Sequence, residues 1–297
     1  LDDIVADVNA RGLKLLISIV RSPSFYTANG GDGMPDDPQA LGNFVAALAE
    51  HYKGRVQAIQ IWNEENLAYE NGGYVELDDA GRYVELLKIA YTRIKEVDPS
   101  IIVVSGAPAS TATNGPGVAI SDMRYYRAMF SYQNGIMRNY VDAVAVHPGG
   151  SANPPETLWP AEPSQAQGWT NDATFYFRNI ENVRALMVEY GMADHPVWIT
   201  EFGWATPNST PGFEFGNQVS LDQQADYIRR AMLLTVDKYP WVEAMFVWNL
   251  NFAPLRAQSG DPYHEQASFG ILDSGYNPRP AYWALQNTIN EIRAAGH

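Results

Sequence analysis

Short apolar runs recur along most of the chain, each followed by a loop rich in glycine, proline or asparagine and then by a helical pattern. Their starts lie 40 to 55 residues apart, which suits units of one strand and one helix better than hairpins. Runs that are apolar at every position, such as residues 101–104, indicate strands covered on both faces, as in a parallel sheet. The predicted strands are residues 13–20, 56–62, 101–106, 141–147, 196–201 and 242–249.

The segments between these runs carry apolar residues at spacings of three and four, which predicts helices. The predicted helices are residues 1–11, 41–52, 79–97, 174–190, 221–238 and 281–294. The sequence contains no internal repeat, charge block or low-complexity linker that would mark a boundary between domains. We therefore predict one domain over residues 1–297.

Alternating strands and helices fit either a doubly wound sheet or a (β/α)8 barrel, and the position of the polar residues favours the barrel. Glu64, His147, Glu201 and Asn249 each stand at the carboxyl end of an apolar run, where barrel enzymes build their sites from several strands. The glycine-rich phosphate turn of a nucleotide-binding sheet follows none of the runs. The sequence therefore predicts an α/β fold of the TIM-barrel type.

Charge and composition exclude several classes of partner. The net charge of -14 repels phosphate backbones and anionic lipid, and no apolar stretch approaches the roughly 20 residues of a membrane crossing. We therefore expect neither a nucleic acid nor a membrane partner. The chain has no cysteine, which excludes disulfides and thiolate sites. The compartment stays open, with a slight preference for a secreted or extracytoplasmic location.

Two glutamates at strand ends are the strongest chemical signal. Burial and strand propensity both disfavour a carboxylate at Glu64, after residues 57–62, and at Glu201, after residues 197–200. Hydrolysis of a glycosidic bond needs such a pair, one acid to protonate the leaving oxygen and one carboxylate on the other face of the sugar. Glu65 competes with Glu64, but adjacent strand residues point to opposite faces. Each glutamate alone would be read as the partner of an arginine.

Both glutamates stand in recognisable motifs. Ile61-Trp62-Asn63-Glu64-Glu65-Asn66 resembles the acid/base motif at the end of the fourth strand in clan A glycoside hydrolases. Trp198-Ile199-Thr200-Glu201-Phe202-Gly203-Trp204 resembles the nucleophile segment at the end of their seventh strand. The family 39 and family 5 types are the most similar, and the resemblance extends along most of the chain.

The resemblance implies a retaining β-glycosidase acting on a polysaccharide or oligosaccharide, with Glu64 as acid/base and Glu201 as nucleophile. It also implies that Asn63 binds the sugar 2-hydroxyl. Glu65 stands where many relatives have proline, and Gly149 follows His147-Pro148 where an aromatic residue is expected. The alternative from another class is a carbohydrate-binding barrel protein without catalytic activity.

Other strand-end and loop residues are candidates for substrate contact. His147 is expected to hydrogen-bond Glu201 or a sugar, against the alternative of a buried structural histidine. Trp248 resembles the sugar-stacking platform of the clan, while Trp204 and Tyr26 are loop candidates of lower rank. The histidines are scattered without a zinc-binding spacing, so we predict no metal and no cofactor.

Counting Glu64 as the end of the fourth strand leaves only strands three to eight of the barrel in this sequence. The helical pattern begins at Leu1 without a cap, so we expect an N-terminally truncated barrel preceded by strands one and two. The runs at residues 13–20 and 242–247 then have open edges, which can pair with other strands. The oligomeric state is left undetermined, with pairing across these edges as one possibility.

Overall fold

The predicted apolar runs all form β-strands in the computed structural model, which describes residues 1–296. Each strand but the last two is several residues shorter than its apolar run. The ladder of β2 stops at Ile61 because the next residue, Trp62, has a left-handed backbone with φ of 69°. The strands are β1 (Leu16–Ile19), β2 (Ala58–Ile61), β3 (Ile102–Val104), β4 (Val144–Val146), β5 (Val197–Phe202) and β6 (Val242–Val247).

The helices follow the predicted pattern, with one long segment that the prediction missed. The α-helices are α1 (Asp2–Ala10), α2 (Pro38–His51), α3 (Asp79–Val97), α4 (Asp122–Ser131), α5 (Ile180–Glu189), α6 (Leu221–Lys238), α7 (Ala253–Gln258), α8 (Glu265–Phe269) and α9 (Pro280–Ala294). Helix α4 was not predicted; its buried face consists of Tyr125, Tyr126, Met129 and Phe130. The first part of the predicted helix 174–190 consists of 3-10 turns before α5 begins.

Several helices begin at residues whose side chains satisfy free backbone N–H groups. The carboxylate of Asp37 accepts a hydrogen bond from the Gln39 backbone, and Pro38 opens α2. Ser220 and Gln223 form a reciprocal capping box at the start of α6. These local signals explain why α2 and α6 start within a few residues of the predicted positions.

The strands form two three-stranded sheets. The first has the order β1-β2-β3, with parallel register that pairs Ile17 with Ile59 and Ile59 with Val103. The second has the order β4-β5-β6, and a parallel bridge links Val104 to Ala143. Strands β1 and β6 are each the end of a sheet, and both are more exposed than the fully buried β2. The open edges expected from the sequence stay a prediction.

The chain divides into two compact units. The first, called unit 1, contains residues 1–146 and 183–198; the second, called unit 2, contains residues 147–182 and those from 199 to the end of the described chain. In unit 1, α2 packs on α3 and α3 on α4; in unit 2, α6 packs on α9. The prediction of one domain is not tested by this division and stays a prediction.

Unit 1 has a core of strand and helix residues that includes Ile59, Ile61 and Leu87, while Phe177, Trp204 and Ile228 lie in the core of unit 2. Among the helices formed by residues 1–296, none has both the length and the apolar character that crossing a bilayer requires.

Candidate active site

The turn after β2 holds Glu64 in unit 1. Trp62 and Glu64 both have left-handed backbones, with φ of 69° and 50°, a conformation that costs about 1 kcal/mol or more for residues other than glycine. The Trp62 N–H donates to Ile19 at 2.7 Å, and the Glu64 N–H donates to Ala107 at 3.0 Å. Asn63 and Glu64 are half-buried. The turn is thus fixed by the ends of the strands on both sides of β2.

Glu65, the competitor of Glu64, lies in a different environment. Its side chain is fully buried, and a methyl group on Gly106 would approach its Oε2 to 2.4 Å. Burial, reinforced by the Glu65 carboxylate, raises the pKa of the Tyr83 and Tyr125 hydroxyls well above their usual range. Glu64 is therefore the glutamate of this pair with access to solvent. The turn, and not strand alternation, gives Glu64 and Glu65 their different exposure, because both residues lie beyond the end of β2.

Asn66 anchors the turn from within the core of unit 1. Its fully buried side-chain amide donates to the carbonyl oxygens of Ala109 and Ile120, each at 2.9 Å, and its Oδ1 accepts the Ala109 N–H at 2.7 Å. These three hydrogen bonds of a buried amide fix the position of the loop after β2 against the loop after β3. Asn66 belongs to the quoted motif, but sequence reasoning assigned it no role.

Unit 2 carries Glu201 on regular strand structure. Glu201 is the fifth residue of β5, and its side chain is 25% exposed. The Nε2 atom of the buried His147 lies 3.0 Å from Thr200 Oγ1 and 3.9 Å from Glu201 Oε1. The shorter distance is a hydrogen bond, and the longer one is an ion-pair distance. His147 is thus oriented by Thr200, which sequence reasoning missed, and places an imidazole beside the Glu201 carboxylate.

Trp248 follows β6 in unit 2, close to the segment that carries Glu201. Its backbone N–H donates to Phe202 at 2.8 Å, its half-buried ring packs on Phe252, and its peptide bond with Asn249 is cis. A methyl group on Gly203 would lie 2.4 Å from the Trp248 carbonyl oxygen, so glycine is required there. Unit 2 therefore brings three of the predicted site residues, His147, Glu201 and Trp248, to neighbouring strand ends.

Trp204 is a core residue, which corrects the expectation that it contacts substrate. Its side chain is 1% exposed, and its Nε1–H donates to the Asn153 carbonyl oxygen at 2.9 Å. The ring packs against Phe177 and Tyr227. A ring enclosed on all sides with its N–H satisfied has no surface left for a sugar.

Tyr26 lies in the loop after β1 in unit 1, and 45% of its side chain is exposed. Tyr69, in the short 3-10 turn after Glu64, is 71% exposed. Tyr26 was predicted from the sequence as a site residue and Tyr69 was not. Both lie in short turns, where the sequence has no periodicity that would show which aromatic residues are exposed.

Comparison with solved structures gives the fold a context. The chain matches a family 39 glycoside hydrolase from Bacteroides cellulosilyticus WH2 with a TM-score of 0.66 and 19% identity, over 97% of this chain and 53% of that one. It matches a glucosidase from Croceicoccus marinus with a TM-score of 0.65 and 15% identity, over 96% and 51%. It matches a β-xylosidase from Caulobacter crescentus CB15 with a TM-score of 0.59 and 17% identity, over 95% and 54%.

The chain therefore spans about half the length of these three proteins. No protein-family model matches it, and no curated protein matches it at a significant level. The structural similarity is to glycoside hydrolases with an α/β barrel fold, and it confirms the resemblance to clan A glycoside hydrolases at the level of the fold.

Proposed function

We propose that the protein is a retaining β-glycosidase that cleaves a polysaccharide or oligosaccharide, with Glu64 as acid/base and Glu201 as nucleophile. The observation that carries the proposal is the placement of two partly exposed glutamates, one just beyond β2 and one near the end of β5. Barrel enzymes build their sites from the carboxyl ends of the strands and the loops that follow them. Glu65 is excluded from direct contact with substrate by its complete burial.

In the first step, the Glu201 carboxylate attacks the anomeric carbon while Glu64 donates its proton to the glycosidic oxygen, and the leaving sugar departs. In the second step, the Glu64 carboxylate takes a proton from water, which attacks the same carbon and releases Glu201. Direct attack requires carboxyl groups about 5 to 5.5 Å apart, whereas inversion requires about 6.5 to 9.5 Å. The proposal therefore commits to the shorter separation.

Neighbouring residues have supporting roles in this proposal. Asn63 binds the sugar 2-hydroxyl and Trp248 stacks on a sugar ring, as the family resemblance implies. His147, held by Thr200 at 3.0 Å, supplies a hydrogen-bonding edge beside Glu201. The proposed reaction needs no metal and no cofactor, because the two carboxyl groups supply both the acid/base and the nucleophile.

The proposed substrate is a neutral or cationic glycan bound in an open groove along aromatic residues. The net charge of -14 disfavours polyanions, although charge near the site governs more strongly than the total. Hydrolysis should be screened on xylan, glucan, mannan and a set of aryl β-glycosides. Activity confined to an aryl xyloside would favour a pocket over a groove.

The decisive variants are Glu201→Gln and Glu64→Gln, with the exposed Glu50→Gln on α2 as a control. We expect Glu201→Gln to abolish hydrolysis and leave sugar affinity largely intact, while Glu50→Gln behaves like the parent. A parent protein that binds glycans but hydrolyses none of the panel would instead support the carbohydrate-binding alternative.

A further inference from the structure

Unit 1 exposes three aromatic side chains on the loops after β1 and β2. Phe25 is 77% exposed, Tyr69 is 71% exposed and Tyr26 is 45% exposed. The rings of Phe25 and Tyr26 contact each other, with centroids 4.5 Å apart. These three residues are called the aromatic patch. Large aromatic side chains left in water forgo the stabilisation of burial, and such groups on a soluble protein often mark a binding surface.

The two loops that carry the patch are joined by Arg21. Its guanidinium makes a bidentate contact with Glu70, both distances being 3.2 Å, and donates to Asp32 at 2.9 Å. The hydrogen bonds to Glu70 raise the pKa of Arg21 above its usual value. Two carboxylates from different loops thus share one cation, which ties the loop after β1 to the turn after β2.

The backbones of the two loops are also in direct contact. A methyl group on Gly33 would lie 2.7 Å from the backbone of Asn71, and one on Gly31 would lie 3.1 Å from Gly72. Within the first loop, the Tyr26 carbonyl oxygen accepts the Asp36 N–H at 3.0 Å. The backbone of the loops that carry the exposed rings is therefore braced, since moving one loop relative to the other would break these contacts.

Tyr69 presents one ring face to solvent. The Arg21 guanidinium lies 4.3 Å from the centroid of the ring, a cation–π contact that occupies the opposite face. The residue after Tyr69, Glu70, accepts a hydrogen bond from the Trp62 indole through its backbone carbonyl at 3.3 Å. A hydrogen bond thus links the segment that carries Tyr69 to the turn that positions Glu64.

We propose that the aromatic patch binds sugar units of an extended polysaccharide, beyond those held at the two catalytic glutamates. This inference rests on the proposed function and specifies its substrate as polymeric. The single positive charge of Arg21 faces two carboxylates, Glu70 and Asp32, so the patch offers ring faces and phenolic hydroxyls beside one net negative charge. A neutral glycan has matching apolar C–H faces and hydroxyl groups, whereas a nucleic acid or an anionic lipid brings phosphate charge that this acidic surface repels.

The test measures binding without turnover. Affinity electrophoresis in gels containing soluble xylan, β-glucan or galactomannan should compare Glu201→Gln alone with the same background carrying Tyr69→Ala and Phe25→Ala. We expect at least one polysaccharide to retard the background protein and its dissociation constant to rise about tenfold in the triple variant. Tyr69→Trp, which keeps a stacking face, should restore most of the binding when it replaces Tyr69→Ala.

The matched control is Phe44→Ala, which removes a 52% exposed ring on α2 of the same unit. It should leave binding and activity unchanged. In the active background, the combined loss of Tyr69 and Phe25 should reduce kcat/KM for the polysaccharide about tenfold more than for an aryl β-glycoside.

Failures of the two proposals are distinguishable. Equal polysaccharide affinity with and without the patch, in a protein that hydrolyses glycosides, overturns the patch and leaves the glycosidase standing. Affinity that depends on the patch without any hydrolysis supports the patch and overturns the enzyme. Loss of self-association on substitution, with glycan affinity unchanged, would identify the patch as a protein interface and overturn this inference.

Discussion

The two candidate catalytic glutamates are held in different ways. Glu201 lies within β5, so the hydrogen-bonded ladder of the sheet sets its backbone. Glu64 lies outside β2 in a turn with two left-handed residues, and the turn depends on the buried amide of Asn66. Many backbone hydrogen bonds hold a residue within a strand, so the loss of one contact displaces it little. The turn is held by a few side-chain hydrogen bonds, so the loss of one displaces it more. We therefore expect Glu64 to be more sensitive than Glu201 to substitutions that do not touch substrate.

The largest expected effect comes from removing the brace of the turn. Asn66→Ala leaves the Ala109 N–H and two carbonyl groups without their amide partner, so we expect the free energy of unfolding to fall by about 3 kcal/mol. Chemical denaturation measures this directly, and hydrolysis should fall as well because Glu64 is displaced. The control is Asn287→Ala on the exposed face of α9. A fall below about 1 kcal/mol would show that the turn does not rely on Asn66.

The strand-held side can be tested at Gly203. Gly203→Ala places a methyl group 2.4 Å from the Trp248 carbonyl oxygen, so the two strand ends must separate. We expect a loss of about 2 kcal/mol in stability and about 100-fold in kcat/KM, since small displacements of reacting groups are costly. Gly117, with open space around it, provides the control Gly117→Ala. Parental activity in Gly203→Ala would mean that Trp248 and the Glu201 segment move independently.

A smaller effect is expected at Thr200, which orients His147. Thr200→Val removes the 3.0 Å hydrogen bond while keeping the shape of the side chain, and we expect kcat/KM to fall about tenfold, the value of one hydrogen bond. Thr235→Val removes a buried hydroxyl from α6 and should lower stability without this kinetic loss. Equal kinetic effects of the two substitutions would assign Thr200 a purely structural role.

The smallest effect concerns a carboxylate in a partly exposed, hydrogen-bonded ion pair. Hydrogen bonds from Arg230 lower the pKa of Glu156, so this ion pair stabilises the folded state above the unfolded pKa of about 4.3. That stability is lost as the pH falls through the lowered folded-state pKa. Because the pair is partly exposed, Glu156→Gln should cost less than about 1 kcal/mol near pH 7. Thermal melts of both proteins should converge as the pH falls below the lowered folded-state pKa of Glu156; a constant difference at every pH would rule out the ion pair as its source.

The sequence predicted the elements well and the side-chain environments less well. Strand β3 was evident because all its residues are apolar, whereas α4 was missed although Tyr125, Tyr126, Met129 and Phe130 recur at helical spacing. Glu201 was found by its position in a strand. The turn at Glu64 had no sequence signal beyond its motif. A left-handed backbone is usually predicted from a glycine, and here the residue with that conformation is Trp62.

The aromatic residues show most clearly that exposure depends on tertiary contacts and not on the local sequence pattern. Trp204 and Tyr69 both follow a strand end, yet Trp204 is 1% exposed and Tyr69 is 71% exposed. The difference depends on Asn153, Phe177 and Tyr227 around Trp204 and on Arg21 beneath Tyr69. These partners are distant in sequence, so a single sequence cannot reveal them.

The assignment of different roles to the two glutamates is tested most directly by chemical rescue with azide. With an activated aryl β-glycoside, Glu201→Ala plus azide should yield the α-glycosyl azide, because azide takes the place of the missing nucleophile. Glu64→Ala plus azide should yield the β-glycosyl azide, because azide attacks the glycosyl-enzyme formed on Glu201. Proton NMR of the products distinguishes the two anomers. We expect opposite anomers from the two variants; the same anomer from both, or rescue of neither, would contradict the assigned roles of Glu64 and Glu201.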